Sequence, residues 1–273
     1  LIVGGIAGGT KGDLVSESEL YDPMTQTFTK VSDLSGDKGY MKRGKVKVRS
    51  YMATATKLAD GRVLIAGGFG IEKKTWFGLG KEKVDTLESA FVFNPVDNSF
   101  KRVGDMQYSR HSHTATIMDD GRVLIAGGYN DSFWKKHKTQ CPVEIYNPAK
   151  GEFEKVGGIF SRLKTSEPRM NHTATAIEGG TGILLSGGNH YTGGGLFGLI
   201  KPKLGMTKGS EVLRGANKSE RAGDLNTARM SHTAALVTPR EVLIAGGHDP
   251  STIRSLELYN AASGQWSAVG TLA

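Results

Sequence analysis

Residues Arg110–Gly128 read RHSHTATIMDDGRVLIAGG, and further along Arg229–Gly247 read RMSHTAALVTPREVLIAGG. Two more versions of the same text occur, Arg49–Gly68 as RSYMATATKLADGRVLIAGG and Arg169–Gly188 as RMNHTATAIEGGTGILLSGG. The double glycines that close them, together with an earlier one at Gly4-Gly5, recur at spacings of 63, 60, 60 and 59 residues. A second pattern follows each pair: SELYDPMTQTFTKVSDL, SAFVFNPVDNSFKRVGDM, VEIYNPAKGEFEKVGGI and SLELYNAASGQWSAVGTL. A chain that repeats itself at a fixed period is built from one supersecondary unit that cannot bury its apolar faces alone.

Working outward, each unit divides into four short strands. His-Thr-Ala-Thr is strand A, small and β-branched, and ends in a tight turn such as Asp120-Gly121. Val-Leu-Ile-Ala is strand B, a continuous apolar run expected where both faces are covered. The glycine pair after it permits positive φ and close backbone approach. Glu-x-Tyr-Asn-Pro is strand C, stopped by Pro148 and its equivalents Pro23 and Pro95. Strand D carries one ring, Phe28, Phe100, Phe153 or Trp266, expected to wedge against the next unit. In the fourth unit Glu211-Val212-Leu213-Arg214 replaces the Tyr-Asn-Pro strand and the strand-D ring is missing.

The composition agrees with many short elements. The 273 residues hold 38 glycines, about 14%, roughly twice the usual share, yet without the three-residue period of collagen. Hydrophobic residues at 38% and charged residues at 23% exclude wholesale disorder. No apolar run approaches the roughly 20 residues of a transmembrane helix. The single cysteine, Cys141, excludes an internal disulfide framework and any multi-cysteine metal site.

The block R-x-x-H-T-A-T, D-G-R-V-L-I-A-G-G, Y-N-P and a strand-D ring resembles the kelch repeat in the form found in bacterial kelch proteins, and the resemblance covers nearly the whole chain. It implies an all-β fold, a β-propeller of four-stranded antiparallel blades around a channel. On this reading 1–273 is one propeller: a partial first blade over 1–35, then blades over 49–106, 109–160, 169–225 (the degenerate one) and 229–273. Five strands B but only four strands A are present. The expectation is therefore an internal portion of a longer ring of six or seven blades. By the same resemblance the protein is expected outside the cytoplasm: periplasmic, secreted or at the cell surface.

Two sets of candidate site residues follow. His113, His172 and His232 recur at one blade position, with Met52 taken as the second blade's counterpart; Arg49, Arg110, Arg169 and Arg229 recur three residues earlier. The arginines are expected to point into the channel mouth or to pair with neighbouring carboxylates. The histidines are expected to hold their own blade's backbone, because equivalent positions on adjacent blades are too far apart for one metal ion. No metal and no cofactor is expected.

The second set lies on loops. In a four-stranded meander the B–C and D–A loops emerge on one side, and every long insertion is of that kind. The stretches 36–49, 129–140, 158–169 and 189–209 hold 15 Lys and Arg against 3 acids, a local excess of +12 in a chain whose net charge is +8. Aromatic residues sit among these charges. Trp76, Phe77, Phe133 and Trp134 are the candidate apolar anchors, and Lys73, Lys74, Lys135, Lys136, Lys138, Lys42 and Arg43 supply charge steering. The alternating stretch from Lys42 to Arg49 also reads as a β-hairpin extension.

The sequence thus reads as a non-catalytic scaffold whose basic loop side takes an acidic protein surface or filament, or an anionic glycan. Nucleic acid is the weaker partner, and no membrane span is present. The alternative is a carbohydrate-processing enzyme, a sugar oxidase or sialic acid isomerase, with a pocket at the channel mouth. Galactose oxidase-like relatives need two tyrosines, two histidines and a cysteine cross-linked to a tyrosine, and nothing in the sequence pairs Cys141 with a suitable tyrosine. No nucleophile elbow, phosphate loop or His-Glu-x-x-His motif occurs.

Overall fold

The computed structural model describes residues 1–6, 14–32, 34–37, 45–72, 84–130, 138–139, 142–156, 164–192, 203–215 and 218–273. Among these the protein is all-β, with one short 3-10 turn at Glu178–Gly180 and no helix long and apolar enough to cross a membrane. The third repeat shows the unit. Thr114–Ile117, Val123–Ala126, Glu144–Asn147 and Glu152–Lys155 pair in chain order as an antiparallel meander. The second, fourth and fifth repeats form the same four-stranded sheet, and the first contributes three strands, Ile2–Ile6, Leu14–Asp22 and Thr27–Val31.

These blade-like sheets stack on one another in chain order, and the core lies between them. Successive strand residues point to opposite faces, so Leu64, Ala66 and Val92 of blade two pack forward against Val123, Ile125, Tyr146 and Phe153 of blade three. Leu124, Ala126 and Ile145 in turn pack forward against Ile183, Leu185 and Leu213 of blade four. Strand B is buried on both faces, as its continuous apolar run requires: all four residues of Val123–Ala126 are buried.

The strand-D ring wedges the opposite way from the sequence expectation. Phe153 packs on blade two, Phe100 shares one apolar cluster with Leu1 and Val3 of blade one, and Trp266 donates its indole N–H to Ser210 Oγ of blade four (2.8 Å). Each ring lies opposite the strand-C aromatic across the ladder, as Phe153 does Tyr146 at 5.1 Å between centroids. The pleat therefore aims both at the preceding blade. Blade four has Ser219 facing Leu213 at this register position.

The double glycine is required by that stacking. Gly127 and Gly128 have φ of +65° and +97°. A Cβ on Gly127 would lie 2.6 Å from Cε1 of His172 in the next blade and would collide with the carbonyl of Arg169. No side chain fits where two blades approach through backbone and an imidazole.

Register corrects one equivalence. Thr54 pairs with Ala66 as Thr114 pairs with Ala126, so the blade-two counterparts of Arg110, Ser112 and His113 are Ser50, Met52 and Ala53. Met52 shares the left-handed φ of Ser112 (57° and 53°), which confirms the alignment. Arg49 is one residue out of step with the other three arginines, and Met52 does not occupy the histidine position.

The loop side has its own architecture. Ser35–Asp37 and Lys45–Tyr51, from the D–A connection, join Phe69–Glu72 and Val84–Thr86, from the B–C connection, in a second four-stranded sheet. The alternating stretch is thus a hairpin strand from Lys45 onward, and B–C and D–A segments do share one side of the molecule. The later blades carry two-stranded B–C hairpins: Tyr129–Asn130 with Lys138–Thr139, Asn189–Thr192 with Lys203–Met206, and His248–Asp249 with Ser251–Thr252.

Candidate functional site

Most of the loop candidates, namely Lys42, Arg43, Lys73, Lys74, Trp76, Phe77, Phe133, Trp134, Lys135 and Lys136, lie outside the described residues, as does Cys141. Lys138 is on the returning strand of the blade-three hairpin, where it pairs with Asn130. What is described is the base that carries these loops. It is braced by a row of rings running from blade two to blade four. Tyr51 meets Phe69, Phe69 meets His111, His111 meets Tyr129 and Tyr129 meets Tyr191, at centroid separations of 5.5, 5.6, 5.7 and 5.0 Å. Offset and edge contacts of this kind add to area burial. The sequence signal for Phe69, Tyr129, Tyr51 and His111 is an aromatic or imidazole residue directly after the double glycine or two residues before the histidine position, whereas Tyr191 stands three residues after its glycine pair and carries no such signal.

Arg110, Arg169 and Arg229 have no solvent exposure. Each meets a strand-C glutamate of its own blade: Glu144 at 2.8 Å, Glu211 at 3.0 Å and Glu257 at 2.6 Å. Each also donates to the carbonyl of the first glycine in its own pair, Gly127, Gly187 or Gly246. The glutamates are completed by backbone N–H groups of the D–A connection, such as Gln107 and Tyr108 on Glu144 and Asn226 and Thr227 on Glu257. The arginine thus clamps the end of strand B to strand C while its carboxylate anchors the incoming chain. Arg169 lies in the loop stretch 158–169, and its burial against Glu211 removes one charge from the loop excess of twelve. In blade two, Ser50 and Phe91 stand at the arginine and glutamate positions, since Phe91 pairs with Ile65 as Glu144 does with Ile125. Both charges are replaced together, as burial of ions demands.

His113, His172 and His232 are likewise buried, and they reach across the blade boundary rather than to their own backbone. Their Nε2 atoms lie 3.1, 2.9 and 3.0 Å from the hydroxyls of Thr54, Thr114 and Thr173 in the preceding blade. Each threonine immediately follows the histidine position of its own blade, so the contacts hand on from one sheet to the next. Burial, reinforced by the nearby arginine, pushes the pKa of His113 and His172 well below the ordinary value and that of His232 down to about 4. Their Nδ1 atoms are buried without a hydrogen-bond partner. These rings are neutral at pH 7 and structural.

A cleft opens on blade four between the D–A connection, the foot of the B–C hairpin and the end of strand D. It has a volume of about 420 Å³, and its polar lining includes Glu167, His190, Thr207, Lys208, Arg221 and Asp224.

No protein-family model matches the chain, and no curated protein matches it. Among solved structures it is similar to a fungal alcohol oxidase of the AA5 family, in complex with copper, with a TM-score of 0.52 at 14% identity. The match covers 99% of this chain and 62% of that one. The fold is all-β and propeller-like.

At that identity the likeness extends to the fold alone. Copper held as in galactose oxidase-like proteins calls for converging histidines, tyrosines and a cysteine. Among the described residues no three His, Cys, Asp or Glu side chains come together, and the three repeated histidines each engage a threonine of the neighbouring blade. The described residues do not fit such a centre.

Proposed function

We propose that this chain is a kelch-type propeller that binds rather than catalyses, presenting its B–C/D–A side to an acidic protein surface or filament, or to an anionic glycan. The observation that carries this reading is the joining of D–A and B–C segments into one sheet on one side of the molecule, combined with the excess of lysine and arginine in the loops of that side. A single-signed field of this kind speeds encounter with a partner of opposite sign and weakens as salt rises. The braced hairpin feet favour loops presented from a rigid base, which lowers the ordering cost of binding.

The apolar anchors in this reading are Trp76, Phe77, Phe133 and Trp134. Lys42, Arg43, Lys73, Lys74, Lys135, Lys136 and Lys138 act mainly on the association rate. A location outside the cytoplasm rests on the resemblance to bacterial kelch proteins. The test is binding of the purified chain to acidic proteins, filaments and sulfated or carboxylated glycans between low and high salt. Affinity is expected to fall steadily with salt, and a Trp76→Ala, Trp134→Ala double variant is expected to lose about tenfold or more. An affinity indifferent to salt and to both substitutions rules the reading out.

A further inference from the structure

Blade four departs from the repeat of its own chain, and the departures gather around the cleft. Two residues before the buried arginine, blades three and five carry Tyr108 and Thr227, whereas blade four carries Glu167. The strand-D ring is absent, while the bulge between Gly209 and Glu211 in the strand C–strand D ladder is shared with blade five, where it falls between Leu256 and Glu257. Bulges re-aim side chains at the edges of sheets, and this one adjoins Asp224, which pairs with Gly209 and lines the cleft.

The walls are held in place. Thr207 donates its hydroxyl to Glu167 Oε2 at 2.6 Å and accepts the Gly209 N–H at 2.8 Å. A Cβ on Gly209 would stand 3.1 Å from both the Glu167 carboxylate and the Thr207 hydroxyl, so the glycine makes room for this contact. Behind them the buried Arg169 donates to the Gly209 carbonyl at 3.0 Å. The cleft is therefore built on the Arg169–Glu211 pair of the repeat, with functional-looking side chains added in front of it.

The charges decide what fits. Arg221 and Asp224 satisfy each other at 2.9 and 3.0 Å. Glu167 has one oxygen engaged by Thr207, and Lys208 lines the same cleft without forming an ion pair with it. The two acids and two bases of the lining cancel, which disfavours phosphates and other polyanions, and the one ring in the lining is the His190 imidazole, whose Nδ1 is buried without a hydrogen-bond partner; no Phe, Tyr or Trp offers a broad face on which a sugar or a base would stack. Beside that imidazole the lining offers one carboxylate, Glu167, and one ammonium, Lys208, next to the apolar surfaces of Pro168 and Met206. Small-ligand sites combine a modest apolar lining with a few fixed polar groups in this way.

We propose that the blade-four cleft binds a small zwitterion, a free α-amino acid, with its ammonium group on the Glu167 carboxylate and its carboxylate on Lys208. Charge-assisted hydrogen bonds at both ends give the selectivity, and the ligand side chain lies on Met206 and Pro168. Lys208 and Glu167 lie in the loop stretches of the proposed partner surface but are none of its named anchors or steering charges, so the two readings are tested separately.

The test is calorimetric titration of the whole chain with each of the twenty L-amino acids, followed by the N-acetyl and amide forms of any that bind. At least one free amino acid is expected to bind, with its blocked forms about tenfold weaker or more. Lys208→Gln and Glu167→Gln are each expected to lower the affinity by a similar factor. Lys208 is exposed, so its variant remains a fair test should the Glu167 change disturb the fold. Equal binding of blocked and free forms, binding of neutral sugars in their place, or no amino acid binding at millimolar concentration overturns the proposal.

Discussion

Three arginine–glutamate pairs without solvent exposure are costly to assemble and more costly to break. Taking one partner away leaves an ion in the core and several hydrogen bonds unmade, at about 3–5 kcal/mol. Glu144→Ala is therefore expected to lower the urea midpoint sharply, because Arg110 loses its carboxylate and the N–H groups of Gln107 and Tyr108 lose their acceptor. Blade two indicates the tolerated route. Introducing Arg110→Ser together with Glu144→Phe, the combination found at Ser50 and Phe91, is expected to recover most of that loss in the same unfolding measurement. A double variant no better than Glu144→Ala alone would show that blade two owes its tolerance to something other than the matched replacement.

Between elements, the contact most sensitive to conditions is the histidine that bridges each pair of later blades. His113, His172 and His232 face the threonine of the preceding blade, the preceding double glycine and the arginine of their own connection. All three have folded pKa values below the ordinary 6.5, chiefly because burial disfavours the charged ring. Below pH 6.5 the unfolded chain takes up protons that the folded chain refuses. The stability associated with these rings is thus fully present above about pH 6.5 and is lost as the pH falls towards the folded values. For His232, with its value of about 4, the loss reaches about 3 kcal/mol at the bottom of the window. Urea midpoints measured from pH 7.5 to 4.5 are expected to fall, and His232→Gln is expected to flatten part of that slope. A slope identical in the variant would assign the acid sensitivity to other groups.

At the scale of the molecule, every adjacent pair of blades makes one kind of contact, and its two halves are also displayed at the ends of the stack. Ile2, Tyr21 and Phe28 of blade one are 51%, 46% and 56% exposed, whereas their register equivalents Ile125, Tyr146 and Phe153 are buried. At the other end Leu243 and Leu258 of blade five are half-buried, whereas their register equivalents Leu124 and Ile145 are buried. Burial at these positions is worth most where a neighbouring blade covers them. Ile125→Asp, between blades two and three, is expected to lower the urea midpoint far more than Ile2→Asp at the exposed equivalent. Equal losses in the two variants would contradict this.

The sequence by itself determined the repeat, the four strands of each unit and the glycine pairs that end strand B. These are local properties: an alternating or continuous apolar run, a turn residue or a glycine acts within a few positions of itself. It also made the common side of the B–C and D–A connections legible, because a meander fixes which connections emerge together. Tertiary structure alone decided the direction in which each strand-D ring wedges and the true register of Met52. It also chose the partners of the buried histidines, which are threonines 58 or 59 positions away. The blade-four cleft is of the same kind, since Glu167, Lys208 and Asp224 meet only when a connection, a hairpin and an outer strand are folded together. Contacts between residues a full repeat apart depend on how the sheets stack, and no local pattern encodes which face of one blade meets the next.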